Sequence, residues 1–140
     1  MPLYNGYFYP VIQKQEILEE ETGILASGST KQFTSGEDLQ TGNILYSINN
    51  KIYKADAEIL SSSFPIGISL ETKTIGNLTT ILIGHGNVTY DFNNLTSGKR
   101  YFLGKTGSIT EMPSHSNIVQ IGFATSDNEL IYFPSFIIQR

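Results

Sequence analysis

The sequence predicts an all-β fold: a small antiparallel barrel or sandwich built from two similar units, with an extended N-terminal arm. Short runs rich in β-branched and aromatic residues alternate with Gly and Asn turns, and no long stretch has helical periodicity. The second half of the chain also resembles the first half. We place the arm at residues 1–35 and the β-module at residues 36–140.

The first twelve residues predict the extended arm. Pro2, Gly6 and Pro10 disfavour a helix there. The segment carries four aromatic side chains, Tyr4, Tyr7, Phe8 and Tyr9. Because aromatic side chains provide large contact area, these four are the candidate partner-binding residues. The alternative is that the arm completes the barrel of its own subunit.

The remainder of the predicted arm has two regions of different composition. Residues 13–21 are rich in helix formers, but their apolar pattern supports one or two helical turns at most, or a strand with a charged edge. Residues 26–36 are small and polar, which predicts a linker or a long loop and the best candidate domain boundary.

The strands of the module begin with a hairpin. Residues 44–48 and 51–55 flank Asn49 and Asn50, and Asn tolerates the positive φ that a type I′ turn requires. Further strands are predicted in seven later runs, at residues 65–70, 78–83, 87–92, 100–103, 108–110, 119–124 and 130–133.

Two motifs recur at nearly constant spacing. Leu39-x-x-Gly42 returns as Leu95-x-x-Gly98, 56 residues later, and Ile66-Gly67-Ile68 returns as Ile121-Gly122-Phe123, 55 residues later. A glycine inside a strand marks a bulge or a tight bend. The spacing therefore predicts two copies of one unit that close on each other.

Composition excludes several classes of protein. The 140 residues carry a net charge of -4 and contain no Cys, which excludes a disulfide scaffold and a thiol nucleophile. The mild acidity gives no electrostatic footprint for nucleic acid. No apolar run approaches the ~20 residues of a membrane-spanning helix, so we expect no membrane insertion.

The candidate chemical groups are few. His85 lies between two glycines and His115 lies in a loop composition, and a zinc site would need both imidazoles plus a carboxylate. A ring of His side chains on a trimer axis stays open. Glu37 and Asp38 are adjacent, which fits a turn entry better than a catalytic carboxyl pair. We predict no catalytic residue, no metal and no cofactor; the competing hypothesis is a hydrolase with His85 or His115 as general base.

The repeat motifs resemble a small β-domain of tailed-bacteriophage virion proteins, which include head fibres, capsid decoration proteins and tail-fibre or baseplate appendages. The resemblance covers about residues 36–134. The motifs that carry it are Leu39-x-x-Gly42-x-x-Leu45-Tyr46, Ile66-Gly67-Ile68, Leu95-x-x-Gly98-x-x-Tyr101-Phe102, Gln120-Ile121-Gly122-Phe123-Ala124 and Glu129-Leu130-Ile131-Tyr132-Phe133-Pro134.

The resemblance implies a non-enzymatic structural protein on the surface of the virion, a head fibre or a capsid decoration protein. Proteins of this kind are frequently homotrimers, and their partners are further copies and the capsid or tail proteins. The alternative that the resemblance leaves open is a tail-fibre or baseplate appendage that binds a host surface glycan. Neither alternative involves nucleic acid or membrane insertion.

Overall fold

The structure is a computed structural model that describes residues 23–113 and 117–139. In that part of the chain nine strands form one sheet in the order β1-β3-β2-β4-β5-β9-β8-β6-β7, and no α-helix occurs. The strands are β1 (Leu25–Ser35), β2 (Ile44–Ile48), β3 (Lys51–Lys54), β4 (Gly67–Ser69), β5 (Leu78–Thr89), β6 (Arg100–Leu103), β7 (Ile109–Thr110), β8 (Asn117–Ala124) and β9 (Glu129–Gln139), and Leu60–Ser62 forms a short 3-10 turn. The predicted all-β class is confirmed.

The hairpin β2–β3 has the predicted turn. Asn49 and Asn50 have φ angles of 53° and 63°, as both central residues of a type I′ turn require. Tyr46 pairs with Tyr53 across the two strands, and their ring centroids are 5.8 Å apart.

Strand β1 closes the first five strands into a ring. It pairs parallel with β3 and antiparallel with β5, while β3, β2, β4 and β5 pair in succession. Inside the ring lies a small core whose fully buried members are Leu39, Leu45, Ile52 and Ile81. Phe33 of β1 packs against this core from the closing strand.

The prediction of a linker at residues 26–36 is wrong, because Leu25–Ser35 is a strand of the sheet. Its residues pair with β5 from Leu25↔Thr89 to Thr34↔Leu78, so ladder hydrogen bonds order a segment that has few apolar side chains. The predicted domain boundary had assigned residues 25–35 to the arm. Residues 1–22 lie outside the described residues.

The segment Gly84-His85-Gly86 lies inside β5, where the sequence had predicted two separate strands. The register against β1 shifts between Gly28 and Ser29, opposite this segment, and Gly84 has a φ of +74°. This irregularity divides β5 into two halves. The first half pairs with β4 and the second half with β9, while β1 runs along both.

The two predicted units share one topology. In the first unit the strand order is β3-β2-β4-β5, and in the second it is β7-β6-β8-β9. The glycines of the repeated Leu-x-x-Gly motif have the same backbone conformation in both units. Gly42 and Gly98 both have positive φ, and each donates a 2.8 Å backbone hydrogen bond, to Ser69 and Ala124 respectively. The prediction that the fold contains two similar units is confirmed.

The second unit packs on the outer face of the first. Side chains on the outer face of the ring enter a second, larger core. They include Ile44, Ile68 and Leu82, which point away from the ring core because successive side chains of a strand face opposite sides of the sheet. The second unit contributes Leu103, Val119, Ile121, Leu130 and Tyr132 to that core. Backbone hydrogen bonds also join the units, from Ile44 N to Gly107 O at 2.9 Å and from Ala57 N to Gly104 O at 3.0 Å.

Candidate functional site

An exposed apolar surface covers the outer face of the β8–β9 hairpin. Phe123 and Ile131 lie directly opposite each other on the two strands, and Phe133 lies two residues beyond Ile131 on the same face. Phe123 is 41% exposed, Phe133 is 59% exposed and Ile131 is half-buried. We call Phe123, Ile131 and Phe133 the outer surface.

The first unit contains the counterpart of this surface. Ile68 of β4 pairs with Leu82 of β5 at the position that Phe123 and Ile131 occupy in the second unit. Both Ile68 and Leu82 are fully buried, because the second unit packs on them. The same cross-strand pair is therefore core in one unit and surface in the other.

A second aromatic contact lies further along the same hairpin. The rings of Phe64 and Phe136 stack with their centroids 5.0 Å apart, although Phe64 is 52% and Phe136 is 40% exposed. Exposed aromatic groups of this size are typical of protein interaction surfaces.

His85 lies beside the outer surface. Its ring meets the ring of Phe133 edge-on, with centroids 5.7 Å apart, and the residue is exposed. Among the described residues no group of three or more His, Asp or Glu side chains could hold a metal ion. His115 lies outside the described residues.

Glu37 and Asp38 both accept hydrogen bonds from backbone amides. Glu37 Oε2 accepts a 2.7 Å hydrogen bond from the Lys54 amide, and Asp38 Oδ1 accepts one of 2.9 Å from the Ile75 amide. The two carboxylates therefore accept hydrogen bonds from different segments of the chain.

A trough opens at one end of the larger core. Two adjoining depressions, of about 490 Å³ and 320 Å³, share Phe92, Asn93 and Ile109 in their walls. The rings of Tyr90 and Phe92 pack edge to face with centroids 5.1 Å apart. We call this double depression the trough.

Polar groups line the rim of the trough. Glu111 lies at one end, where its Oε2 accepts hydrogen bonds from Thr96 Oγ1 at 3.0 Å and from the Tyr101 hydroxyl at 3.1 Å. Asn43 lies at the other end, with its Oδ1 accepting a 2.8 Å bond from the Gln40 amide. Hydrogen bonds thus fix the orientation of both side chains.

The core of the second unit holds one unpaired phenol. Tyr132 is fully buried, and its hydroxyl has no hydrogen-bond partner among the described residues. Burial raises the pKa of Tyr132 well above its ordinary value of 10.0. This group is an energetic cost to the fold and is closed to solvent.

The sequence-predicted binding residues Tyr4, Tyr7, Phe8 and Tyr9 lie outside the described residues. Sequence reasoning missed the outer surface and the trough. The repeat contained a partial signal for the outer surface, since aligning the two Ile-Gly motifs places Phe123 at the position equivalent to Ile68. The trough had no such signal, because Phe92 and Glu111 lie in separate segments that no motif of the sequence connects.

The chain matches no protein-family model, and no curated protein matches it. In the part of the chain that the structure describes, no helix has the length and apolar character needed to cross a membrane.

Proposed function

We propose that this protein is a non-enzymatic structural component of a tailed-phage virion, a head fibre or capsid decoration protein. It acts by associating with further copies of itself and by docking to the particle. The virion role rests on the resemblance of the repeat motifs. The observation that supports association is the outer surface, where Phe123, Ile131 and Phe133 form an apolar face on paired strands. Contiguous apolar patches on soluble domains mark contact sites for other macromolecules.

The partner of the outer surface is a second copy of this chain. The argument is the equivalent pair in the first unit: Ile68 and Leu82 are covered by a unit of the same kind. The outer surface has the same strand geometry and carries one larger side chain, Phe123, where the first unit has Ile68. Closed symmetry, including the homotrimer implied by the resemblance, would cover one such face on every subunit.

Electron microscopy of phage particles tests this function. Antibodies raised against the full chain should label the heads of purified particles from the phage that encodes it. Particles grown with a Phe123→Ser, Phe133→Ser double variant should lose most of the label. Ile75→Ser is the matched control, because Ile75 is 64% exposed in a loop of the first unit. Particles without label, from cells that contain the chain, would contradict the proposal.

The same micrographs separate the two positions on the particle. Labels on the shell support the head fibre or decoration protein. Labels at the tail tip support the tail-fibre or baseplate appendage instead.

A further inference from the structure

Two opposite charges border the outer surface. Arg100 of β6 pairs across the strands with Phe123. Glu129 of β9 lies two residues before Ile131 on the same strand. Because directly paired residues, and residues two apart on one strand, share a face of the sheet, both charged side chains lie on the face of the outer surface. The apolar centre of this surface therefore has a cation at one border and an anion at another.

These two residues carry the only formal charges in the strands concerned. Strands β5, β6, β8 and β9 contain Arg100 and Glu129 and no other Lys, Arg, Asp or Glu. Arg100 is exposed, and Glu129 is half-buried, with its Oε1 accepting a 2.6 Å hydrogen bond from Thr125 Oγ1. Among the described residues neither forms a salt bridge, so the two charges are not paired with each other within one copy.

The first unit shows what a partner of the outer surface has to supply. The position of Arg100 is occupied there by Ile44, which pairs with Ile68. Ile44 is fully buried in the larger core, where an unpaired charge would be costly. A partner that buries the equivalent face of the second unit therefore needs a carboxylate for Arg100 and a cation for Glu129.

We propose that two copies of the chain associate face to face through their outer surfaces, with Arg100 of each copy paired to Glu129 of the other. The inference rests on the proposed self-association and adds the residues that select the partner. Arg100 lies across the strands from Phe123, whereas Glu129 lies along β9 from Ile131. Exchanging the two positions crosses the sheets at about 90°, as in orthogonal sheet packing.

The contact is the same on both copies, so each dimer contains the ion pair twice. An even number of copies follows, whereas the resemblance implies a homotrimer. Arginine and aromatic residues are enriched at the energetically important centres of protein interfaces, which fits Arg100 beside Phe123.

Charge reversal with molar mass by light scattering tests the ion pair. The wild type should scatter at twice 15.5 kDa. Arg100→Glu and Glu129→Arg each place like charges against each other in a dimer of identical copies, and we expect each to raise the Kd of the dimer by about tenfold or more. The double reversal in one chain, and an equimolar mixture of the two single variants, restore opposite charges and should restore the dimer.

Lys51→Glu is the matched control, because it changes the net charge as Arg100→Glu does but lies exposed on β3 of the first unit. It should keep the wild-type mass. Circular dichroism verifies the fold of each variant, and if Glu129→Arg does not fold, the exposed Arg100→Glu position alone decides.

Three results would overturn the proposal: an Arg100→Glu variant that keeps the wild-type mass, a folded double reversal that stays a single chain, or a wild type with the mass of three chains. In the first and third cases the proposed self-association still stands. A wild type that scatters as a single chain at every concentration would overturn the self-association as well.

Discussion

The two units of the module have the same strand pairing but different surroundings. Ile68–Leu82 in the first unit and Phe123–Ile131 in the second occupy one structural position, yet the first pair is fully buried and the second faces solvent. The end strands of the two units, β3 and β7, differ in the same sense. Ile52 of β3 is fully buried inside the ring that β1 closes, whereas its counterpart Ile109 of β7 is only half-buried. The location of a unit within the pair therefore decides which of its faces can contact a partner.

Replacing the strand glycines Gly67 and Gly122 should have the largest effect on stability, and the effect should be equal in the two units. A Cβ at Gly67 would overlap the carbonyl oxygen of Leu82, and one at Gly122 would overlap that of Ile131. We expect Gly67→Ala and Gly122→Ala each to lower the free energy of unfolding by about 3 kcal/mol or more, because backbone must move.

Urea unfolding followed by circular dichroism measures this, and a variant too unstable to purify agrees with the expectation. Gly76→Ala is the control, since Gly76 has a φ of +91° but no atom near its missing Cβ. It should cost about 1 kcal/mol. A similar loss at all three positions would show that conformation, and not close strand approach, requires these glycines.

Truncating the equivalent isoleucines Ile52 and Ile109 should destabilise the protein to different extents. Ile52→Ala empties a fully buried position inside the ring, and we expect a loss of about 3 kcal/mol in the free energy of unfolding. Ile109→Ala removes a half-buried side chain at the edge strand, and the loss should be about 1 kcal/mol. Equal losses in chemical denaturation would contradict the closure of the first unit by β1.

Removing the unpaired phenol should stabilise the second unit. Tyr132→Phe deletes a buried hydroxyl without a partner among the described residues, and we expect a gain of about 1 kcal/mol in the free energy of unfolding. Because burial raises the folded pKa of Tyr132 above 10.0, the phenol is neutral in both states below pH 10, and the protein loses stability as the pH rises beyond that value, since the unfolded chain ionises there more readily than the folded one.

The variant should therefore lose less stability than the wild type between pH 9 and pH 11 in thermal unfolding. Tyr53→Phe, at a half-buried tyrosine of the first unit, is the matched control. An unchanged alkaline slope in the Tyr132 variant would contradict the burial of its hydroxyl.

The smallest expected effect concerns the turns of the two hairpins. Asn49 in the first unit and Thr106 in the second both have a φ of 53°, but a β-branched residue is strained there, whereas Asn is tolerated. Thr106→Asn should raise the free energy of unfolding by about 0.5 to 1 kcal/mol. Asn49→Thr should lower it by a similar amount. If both changes have the same sign in denaturant titrations, the two turns are not equivalent.

Much of the fold was accessible from local sequence. The Asn49-Asn50 turn and the repeated Leu-x-x-Gly motifs predicted the first hairpin and the duplication, because positive φ and close strand approach limit which residues fit. Strand β1 was missed because backbone pairing with β5, and not an apolar pattern, orders it. The candidate sites were missed for a related reason. The repeat aligns Phe123 with Ile68 but does not show that only Ile68 is covered by the other unit. Phe92 and Ile109 meet only when separate segments fold against each other.

Molar mass by light scattering tests the central claim most directly, that the face buried in the first unit is an intermolecular contact in the second. The wild-type chain of 15.5 kDa should scatter as an oligomer at micromolar concentration. Phe123→Ser should scatter as a single chain with unchanged circular dichroism, while Ile75→Ser stays an oligomer. A wild type that remains at 15.5 kDa across all concentrations, or a Phe123 variant that keeps the oligomer mass, would contradict the account.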